Sequence, residues 1–117
     1  MTITHADAIG AFPELARLAL LPAAGWRFQP IAEDGVLVCL VGWRNLGQAT
    51  DALWIYDRTD CLAARLVADT GGASGGIVWD HTGSLASCVE ELLALPGPDE
   101  PTAPRLVKAR AAGLWTP

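Results

Sequence analysis

Residues 36–43 read VLVCLVGW, and this unbroken apolar run is the feature that most constrains the fold. Half of its residues are β-branched or aromatic, and it is far shorter than the roughly 20 residues that cross a bilayer. Such a run predicts a central β-strand that is buried on both faces. Because the preceding Asp34-Gly35 is a typical hairpin turn, we expect an earlier strand to pair with this one.

The segments after this hairpin continue the same pattern. Apolar stretches alternate with short turn signals, which is typical of an antiparallel meander. The predicted strands are 25–31, 36–44, 51–57, 61–68 and 76–80.

Two further segments predict helices that cover this sheet. Apolar residues recur at helical spacing over 84–95, and Pro13 suits the first turn of a helix over 13–21. We expect only a short turn at 7–11 and a loop position for His81. The fold class is therefore α+β, with a meander of about five strands packed against one or two helices.

Size and charge limit the classes of function. We expect residues 1–95 to form a single α+β domain, because a chain of 117 residues can bury a substantial core. The net charge of −5 would repel a phosphate backbone, which disfavours nucleic acid as a partner. There is no apolar run of membrane-spanning length and no basic leader followed by an apolar stretch, so we expect a cytoplasmic protein with no membrane partner.

The cysteines favour a reducing compartment. Cys39, Cys61 and Cys88 are an odd number at wide spacing, which is typical of buried free thiols rather than of a disulfide framework. A zinc site needs close pairs of Cys or His residues, and the sequence has none. We therefore predict neither a metal site nor a cofactor.

The segment 96–117 differs in composition from the rest of the chain, because it is rich in proline and should follow an extended course. It also contains four large apolar residues, which are uncommon in disordered tails: Leu106, Val107, Leu114 and Trp115. We expect this Pro-rich C-terminal tail to dock on its own domain or on a partner.

Four short motifs follow one another along the chain: GWR at 42–44, AAR at 63–65, LLALPGP at 92–98 and APR at 103–105. In this order they resemble small actinobacterial proteins of unknown function. The resemblance covers most of the chain and implies a bacterial source, which the excess of arginine over lysine also favours. Because the motifs are structural, the resemblance implies no activity.

The triplet Asp69-Thr70-Gly71 is similar to the catalytic turn of aspartic proteases. In the retroviral class of that family, two chains of about this size bring two such carboxylates together so that they share a proton. Here the triplet lies past the middle of the chain, and Gly72 replaces the usual alanine. The similarity gives one alternative function, a dimeric aspartic-protease-like hydrolase that uses Asp69.

Tryptophan and arginine are concentrated on the predicted strands, and both residue types are favoured anchors of protein interfaces. Tryptophans at these positions can instead fill a core beneath the helix. The candidate binding residues are Trp26, Arg27, Trp43, Arg44, Trp54, Tyr56, Arg65 and Trp115.

These patterns favour a protein that is not an enzyme. No residues complete a catalytic constellation, so we predict a non-catalytic protein-binding or regulatory and assembly module. Because one or two helices would leave an apolar sheet face uncovered, the partner is another protein or a second copy in a homodimer. A second alternative is a small-ligand-binding protein with a tryptophan-lined pocket between sheet and helix.

Overall fold

The computed structural model describes residues 5–20, 25–67 and 76–110, and its main feature is an antiparallel β-sheet. The strands are β1 (Arg27–Glu33), β2 (Val36–Asn45), β3 (Ala49–Asp57), β4 (Asp60–Val67), β5 (Gly76–Gly83) and β6 (Ala109–Arg110). They lie in the sheet in the order β1-β2-β3-β4-β5-β6, so each strand pairs with its neighbours in sequence. The predicted α+β meander is confirmed, whereas the two-residue β6 was not predicted.

The turn between β1 and β2 is the one that the sequence predicts. Asp34 and Gly35 have φ angles of 51° and 78°, so both lie in the left-handed region that a type I′ hairpin turn requires. This turn matches the right-handed twist of the two strands that it joins. The type of turn is therefore specified by its own two residues.

The hairpin extends beyond the rest of the sheet. Pairing between β2 and β3 begins at Leu40, so residues 36–39 pair only with β1. A β-bulge shifts the register between Ile31 and Ala32 and increases the local twist. Residues 36–38 are exposed, so the prediction that the whole run 36–43 is buried on both faces is wrong at its first three residues.

Three helical segments lie on one side of the sheet: α1 (His5–Ala11), a 3₁₀ helix (Pro13–Leu20) and α2 (Leu85–Ala94). The expected short turn at 7–11 is wrong, because α1 forms a complete helix that ends before the proline. The predicted helix over 13–21 is present as a 3₁₀ helix. None of the described helices is both long enough and apolar enough to span a membrane.

α2 is held at its start by side-chain and backbone contacts. The Ser84 side chain caps it and accepts a hydrogen bond from the Ser87 N–H at 3.2 Å. The Leu85 N–H donates to the Arg58 carbonyl in the turn between β3 and β4. His81 lies in β5 rather than in the predicted loop, so β5 runs almost directly into α2.

Side chains alternate between the two faces of each strand, and both faces of the sheet contain a buried cluster. The helix-covered face contributes strand residues that pack against α1, the 3₁₀ helix and α2: Phe28, Leu40, Leu53, Ile55, Cys61 and Ala63. The opposite face contributes a second cluster: Cys39, Val41, Ala52, Trp54, Ala64, Leu66 and Ile77. Both clusters are buried within the single chain.

The first part of the C-terminal tail lies against the domain. The Lys108 N–H donates to the Ile77 carbonyl at 2.9 Å, and the Lys108 ammonium lies 2.6 Å from a carboxylate oxygen of Asp80. Ala103 is buried. Leu114 and Trp115 lie outside the described residues, so the docking of the end of the tail stays a prediction.

Candidate functional site

Three charged residues are buried side by side on the helix-covered face, and we call Arg44, Asp51 and Arg65 the charged row. The strand register places Arg44 opposite Asp51 and Asp51 opposite Arg65. Their exposed fractions are 5%, 0% and 1% respectively. The sheet therefore holds three full charges away from water, where such groups are rare unless they are paired.

One carboxylate binds both arginines of the charged row. Arg65 donates from Nε to Oδ1 of Asp51 at 2.7 Å and from Nη2 to Oδ2 at 3.0 Å, which is the strong bidentate arrangement. Arg44 donates from Nη2 to the same Oδ2 at 3.4 Å. Two guanidinium groups share one carboxylate, so the row has a net charge of one positive unit.

Aromatic rings lie at both ends of the charged row. The guanidinium carbon of Arg44 is 5.9 Å from the centre of the Trp26 ring, within the range of a cation–π contact. Trp79 lies opposite Arg65 in β5. Arg65 also donates from Nη1 to the Pro96 carbonyl, close to the C-terminus of α2, where the helix dipole favours a cation.

An open cleft of about 690 Å³ lies between the end of β4 and the tail, and we call it the tail cleft. Its walls include two arginines, one acidic residue and apolar side chains. They include Gln48, Arg65, Val67, Asp99, Pro104 and Arg105. Arg65 thus belongs both to the charged row and to the wall of a cleft that is large enough for a small molecule.

The end of the β1–β2 hairpin and the adjoining end of β3 expose four large apolar side chains, and we call this group the hairpin tip. The exposed fractions are 67% for Val36, 65% for Leu37, 37% for Val38 and 44% for Tyr56. The first three are consecutive in β2, and the strand register continues from the Leu40–Ile55 pair to bring Tyr56 towards Cys39. The tip is therefore a group of exposed apolar side chains on both faces of one end of the sheet.

Acidic side chains surround the hairpin tip. Glu33, Asp34, Asp57 and Asp60 are all exposed in the two turns at this end of the sheet. Burial raises the pKa of the Tyr56 phenol, and the nearby Cys39 and Asp60 raise it further. Tyr56 is accordingly neutral at physiological pH, and the negative charge of this end comes from the carboxylates.

The candidate binding residues predicted from the sequence do not lie together. Trp26, Arg44 and Arg65 are buried on the helix-covered face, and Trp54 is buried on the opposite face. Their burial places them inside the protein rather than on a surface that a partner can reach.

The other predicted residues lie nearer the surface. Arg27 is exposed and pairs across the strands with the half-buried Trp43. Tyr56 belongs to the hairpin tip, whereas Trp115 is outside the described residues. Tyr56 is therefore the predicted binding residue that the structure places in an exposed apolar patch.

Sequence reasoning missed Asp51, although the sequence contains a signal for it. Asp51, Leu53 and Ile55 alternate along β3, so all three project to the same face. An acidic residue in phase with two core residues is a candidate for a buried charge. The cross-strand pairing that supplies its two arginine partners could not be predicted from that pattern alone.

The candidate catalytic residues do not form a described site. Asp69 and its neighbouring glycines lie outside the described residues, so the protease-like alternative stays a prediction. His81 Nε2 lies 2.6 Å from the Ser87 hydroxyl, which links β5 to α2. Among the described residues, no carboxylate hydrogen-bonds the other ring nitrogen of His81, so the pair lacks the orienting acid of a hydrolytic triad.

The three cysteines are buried free thiols. Burial raises the pKa of each thiol, and that of Cys61 reaches about 12. Only the thiolate is a good nucleophile or metal ligand, so these thiols are inert at neutral pH. The described residues also contain no group of His, Cys, Asp and Glu side chains that could hold a metal ion.

Comparison of the chain with known protein families, with curated proteins and with solved structures finds no significant match in any of the three. The resemblance to small actinobacterial proteins therefore stays a prediction. Functional inference depends on the hairpin tip, the charged row and the tail cleft.

Proposed function

We propose that this protein is a protein-binding module that contacts its partner with the hairpin tip. The observation that carries the proposal is the exposure of three consecutive aliphatic residues, Val36, Leu37 and Val38, beside the exposed Tyr56. Single exposed apolar residues are ordinary on a protein surface, whereas a concentration of large ones at one end of a sheet is typical of an interaction site. The tip supplies such a concentration at the turn end of the β1–β2 hairpin.

The hairpin tip is held in shape before any partner binds. The type I′ turn at Asp34-Gly35 and the pairing of Leu37 with Ala32 fix its backbone. A rigid apolar element loses little conformational entropy on binding, which favours affinity. The bulge beside it interrupts the regular pairing of β1 with β2 between Ile31 and Ala32.

Charge defines the chemistry of the partner. Glu33, Asp34, Asp57 and Asp60 surround the tip, so the complementary surface is an apolar pocket with a rim of lysine or arginine. A symmetric dimer formed through two tips would bring two sets of these carboxylates together, and that repulsion disfavours a second copy as the partner. A different, basic protein fits the surface better.

The partner contacts side chains rather than adding a strand to the sheet. β1 is the outer strand next to β2, and its free edge contains Pro30, which has no N–H to donate. The bulge between Ile31 and Ala32 interrupts the same strand. Proteins use both devices to protect an edge from pairing with another chain.

The cytoplasm is the compartment that best fits this proposal. Three buried thiols that remain free are typical of a reducing environment. The hydrolase alternative has no support among the described contacts, because Asp69 is outside them. The small-ligand alternative is better matched by the tail cleft than by a tryptophan-lined pocket.

The experiment compares two variants that carry the same substitution at different exposed leucines. Leu37→Lys places a cation in the tip against the basic rim of the partner, whereas Leu106→Lys changes a residue that is 84% exposed on the tail. We expect a partner from the native cell extract to bind the wild type and Leu106→Lys but not Leu37→Lys. The partner is then purified, and direct titration should show weaker binding as the salt concentration rises.

Two results would overturn the proposal. One is a partner that binds Leu37→Lys as tightly as Leu106→Lys while circular dichroism shows both variants folded. The other is a salt-insensitive homodimer that sedimentation shows to be lost in Leu37→Lys, which would make a second copy the occupant of the tip.

A further inference from the structure

We propose that the hairpin tip enters an apolar cleft of its partner, and that the two walls of this cleft cover both faces of the tip. The inference rests on the proposed function and adds the shape and charge of the partner's site. A flat partner surface covers only one face of a sheet, whereas a cleft covers two. The shape of the site therefore depends on which faces of the sheet carry the exposed apolar side chains.

Leu37 belongs to the helix-covered face. It pairs with Ala32 across the hairpin, and side chains that are directly opposite each other in an antiparallel pair lie on the same face. Ala32 is in phase with Phe28, which packs in the cluster beneath the helices. Leu37 is nevertheless 65% exposed, and Ala32 is exposed as well, so the helical layer ends before it reaches them.

Tyr56 belongs to the opposite face. The register of β2 with β3 continues beyond Ile55 to bring Tyr56 beside Cys39, which is part of the cluster on that face. Burial and the nearby Cys39 both raise the pKa of the Tyr56 phenol, and the second effect agrees with this proximity. Tyr56 is 44% exposed, so the cluster leaves it open to a partner.

Val36 adds a second apolar side chain on the opposite face. It pairs with Glu33, which is in phase with Ile31, and Ile31 packs against the cluster on that face. Large exposed apolar side chains thus lie on both faces, with Leu37 on one and Val36 and Tyr56 on the other. A partner that covered one face would leave the other in water, whereas a cleft removes both from water.

The hairpin is thin enough to enter such a cleft. Residues 36–39 pair only with β1, so this part of the sheet is a single layer of two strands. Packed sheets lie about 10 Å apart, so the backbones of the two walls would be about 20 Å apart. A partner with a groove between two domains or two helices would present walls of this kind.

The charge of the turn defines the floor of the cleft. Asp34 lies at the very end of the hairpin and would be the first residue to enter. Burial of a carboxylate is costly unless a cation or hydrogen-bond donors face it. The floor should therefore carry a lysine, an arginine or free backbone N–H groups, whereas Asp57 and Asp60 in the neighbouring turn would meet cations at the mouth.

The test uses the full chain, with the partner purified for the direct titration as the probe. Leu37→Lys and Tyr56→Lys place the same cation on opposite faces of the tip, and Leu106→Lys on the tail is the matched control. We expect each tip variant to bind at least about tenfold more weakly than the control, since each would bury an ammonium group against an apolar wall. Circular dichroism checks that all three variants are folded.

Photo-crosslinking gives a second measurement that does not depend on a loss of binding. The photoreactive residue benzoylphenylalanine replaces Leu37 in one protein and Tyr56 in another, and mass spectrometry identifies the partner segment that each one reaches. We expect crosslinks from both positions, to a different segment of the partner in each case. A flat interface would give crosslinks from one position only.

Asp34→Asn tests the floor of the cleft. Asn-Gly favours the type I′ turn as Asp-Gly does, so this change removes the charge and keeps the hairpin. We expect it to weaken binding about tenfold, because a charge-assisted hydrogen bond is lost in a buried place. Asp60→Asn changes an exposed carboxylate at the mouth and should weaken binding about threefold or less.

Three outcomes would overturn the cleft and leave the proposed function in place. They are control-like binding by one of the two tip variants, crosslinks from one position only, or wild-type affinity in Asp34→Asn. If both tip variants bind as tightly as Leu106→Lys, or if no partner is recovered, the proposed function fails as well. Binding of the wild type but not of Leu37→Lys to vesicles of neutral phosphatidylcholine would make a membrane the occupant of the tip and refute both.

Discussion

Replacing Asp51 by asparagine should strongly destabilise the protein, because this carboxylate is the only anion of the charged row. The change keeps the size of the side chain but replaces the carboxylate that pairs with both Arg44 and Arg65 by a neutral amide. Each guanidinium is nearly inaccessible to water, with side-chain exposed fractions of 6% and 1%. Water therefore cannot replace the lost charge.

The magnitude follows from the burial and the distances. Removal of one partner of a buried ion pair costs about 3–5 kcal/mol. Here a single carboxylate serves Arg65 at 2.7 Å and Arg44 at 3.4 Å, so we expect a loss near the upper end of that range. Such a loss is a large part of the total stability of about 5–15 kcal/mol for a small domain and should lower Tm by about 10–25 °C.

The matched control is Asp80→Asn, which removes the exposed pair with Lys108, whose two side chains are 39% and 52% exposed. An exposed pair contributes about 0–1 kcal/mol. The free energy of unfolding is measured by urea titration with tryptophan fluorescence, and Tm by circular dichroism. If Asp51→Asn and Asp80→Asn agree within about 1 kcal/mol, pairing with the arginines is not what stabilises the row.

Three further results are expected. Gly42→Ala places a methyl group 2.6 Å from the buried Phe28 ring and should lower the free energy of unfolding by about 1–3 kcal/mol. Gly10→Ala in α1 has nothing within 4 Å of the new methyl group, so it should be neutral or stabilise the protein by up to about 1 kcal/mol. Urea titration of the two variants separates the effect of crowding from that of helix propensity. Ser84→Ala removes the cap of α2 and should cost about 1 kcal/mol by the same measurement. The pKa of the Cys61 thiol rises from 9.0 to about 12 on folding, so the unfolded chain loses this proton at a lower pH than the folded protein does. The free energy of unfolding should therefore fall as the pH rises between about 9 and 12. Cys61→Ala should reduce that pH dependence.

The order of strands was predictable because its signals are local. The Asp34-Gly35 turn and the alternation within each strand depend only on residues close in sequence. The same holds for α2, whose apolar residues recur at helical spacing. The start of the chain was harder, since Pro13 indicates a helix start but does not show that a complete helix precedes it.

The functional surfaces were not predictable in the same way. Arg44 and Arg65 were predicted as contact residues because arginine is a favoured anchor of protein interfaces, whereas their burial follows from pairing with Asp51 on the strand between them. Exposure of Leu37 depends on where β3 stops pairing with β2. Both facts arise from contacts between strands, which residue spacing along one strand does not encode.

The charged row also limits how the strands can align as the chain folds. A shift of β3 by one residue would turn Asp51 to the opposite face, and a shift by two residues would keep it on the correct face but move it away from both arginines. The small apolar residues of β3 and β4, such as Ala52 and Ala64, would tolerate the second shift with little loss of packing. The charged row would lose its ion pairs in the shifted alignment. These three buried charges therefore favour one alignment of the strands over others that apolar packing alone would allow.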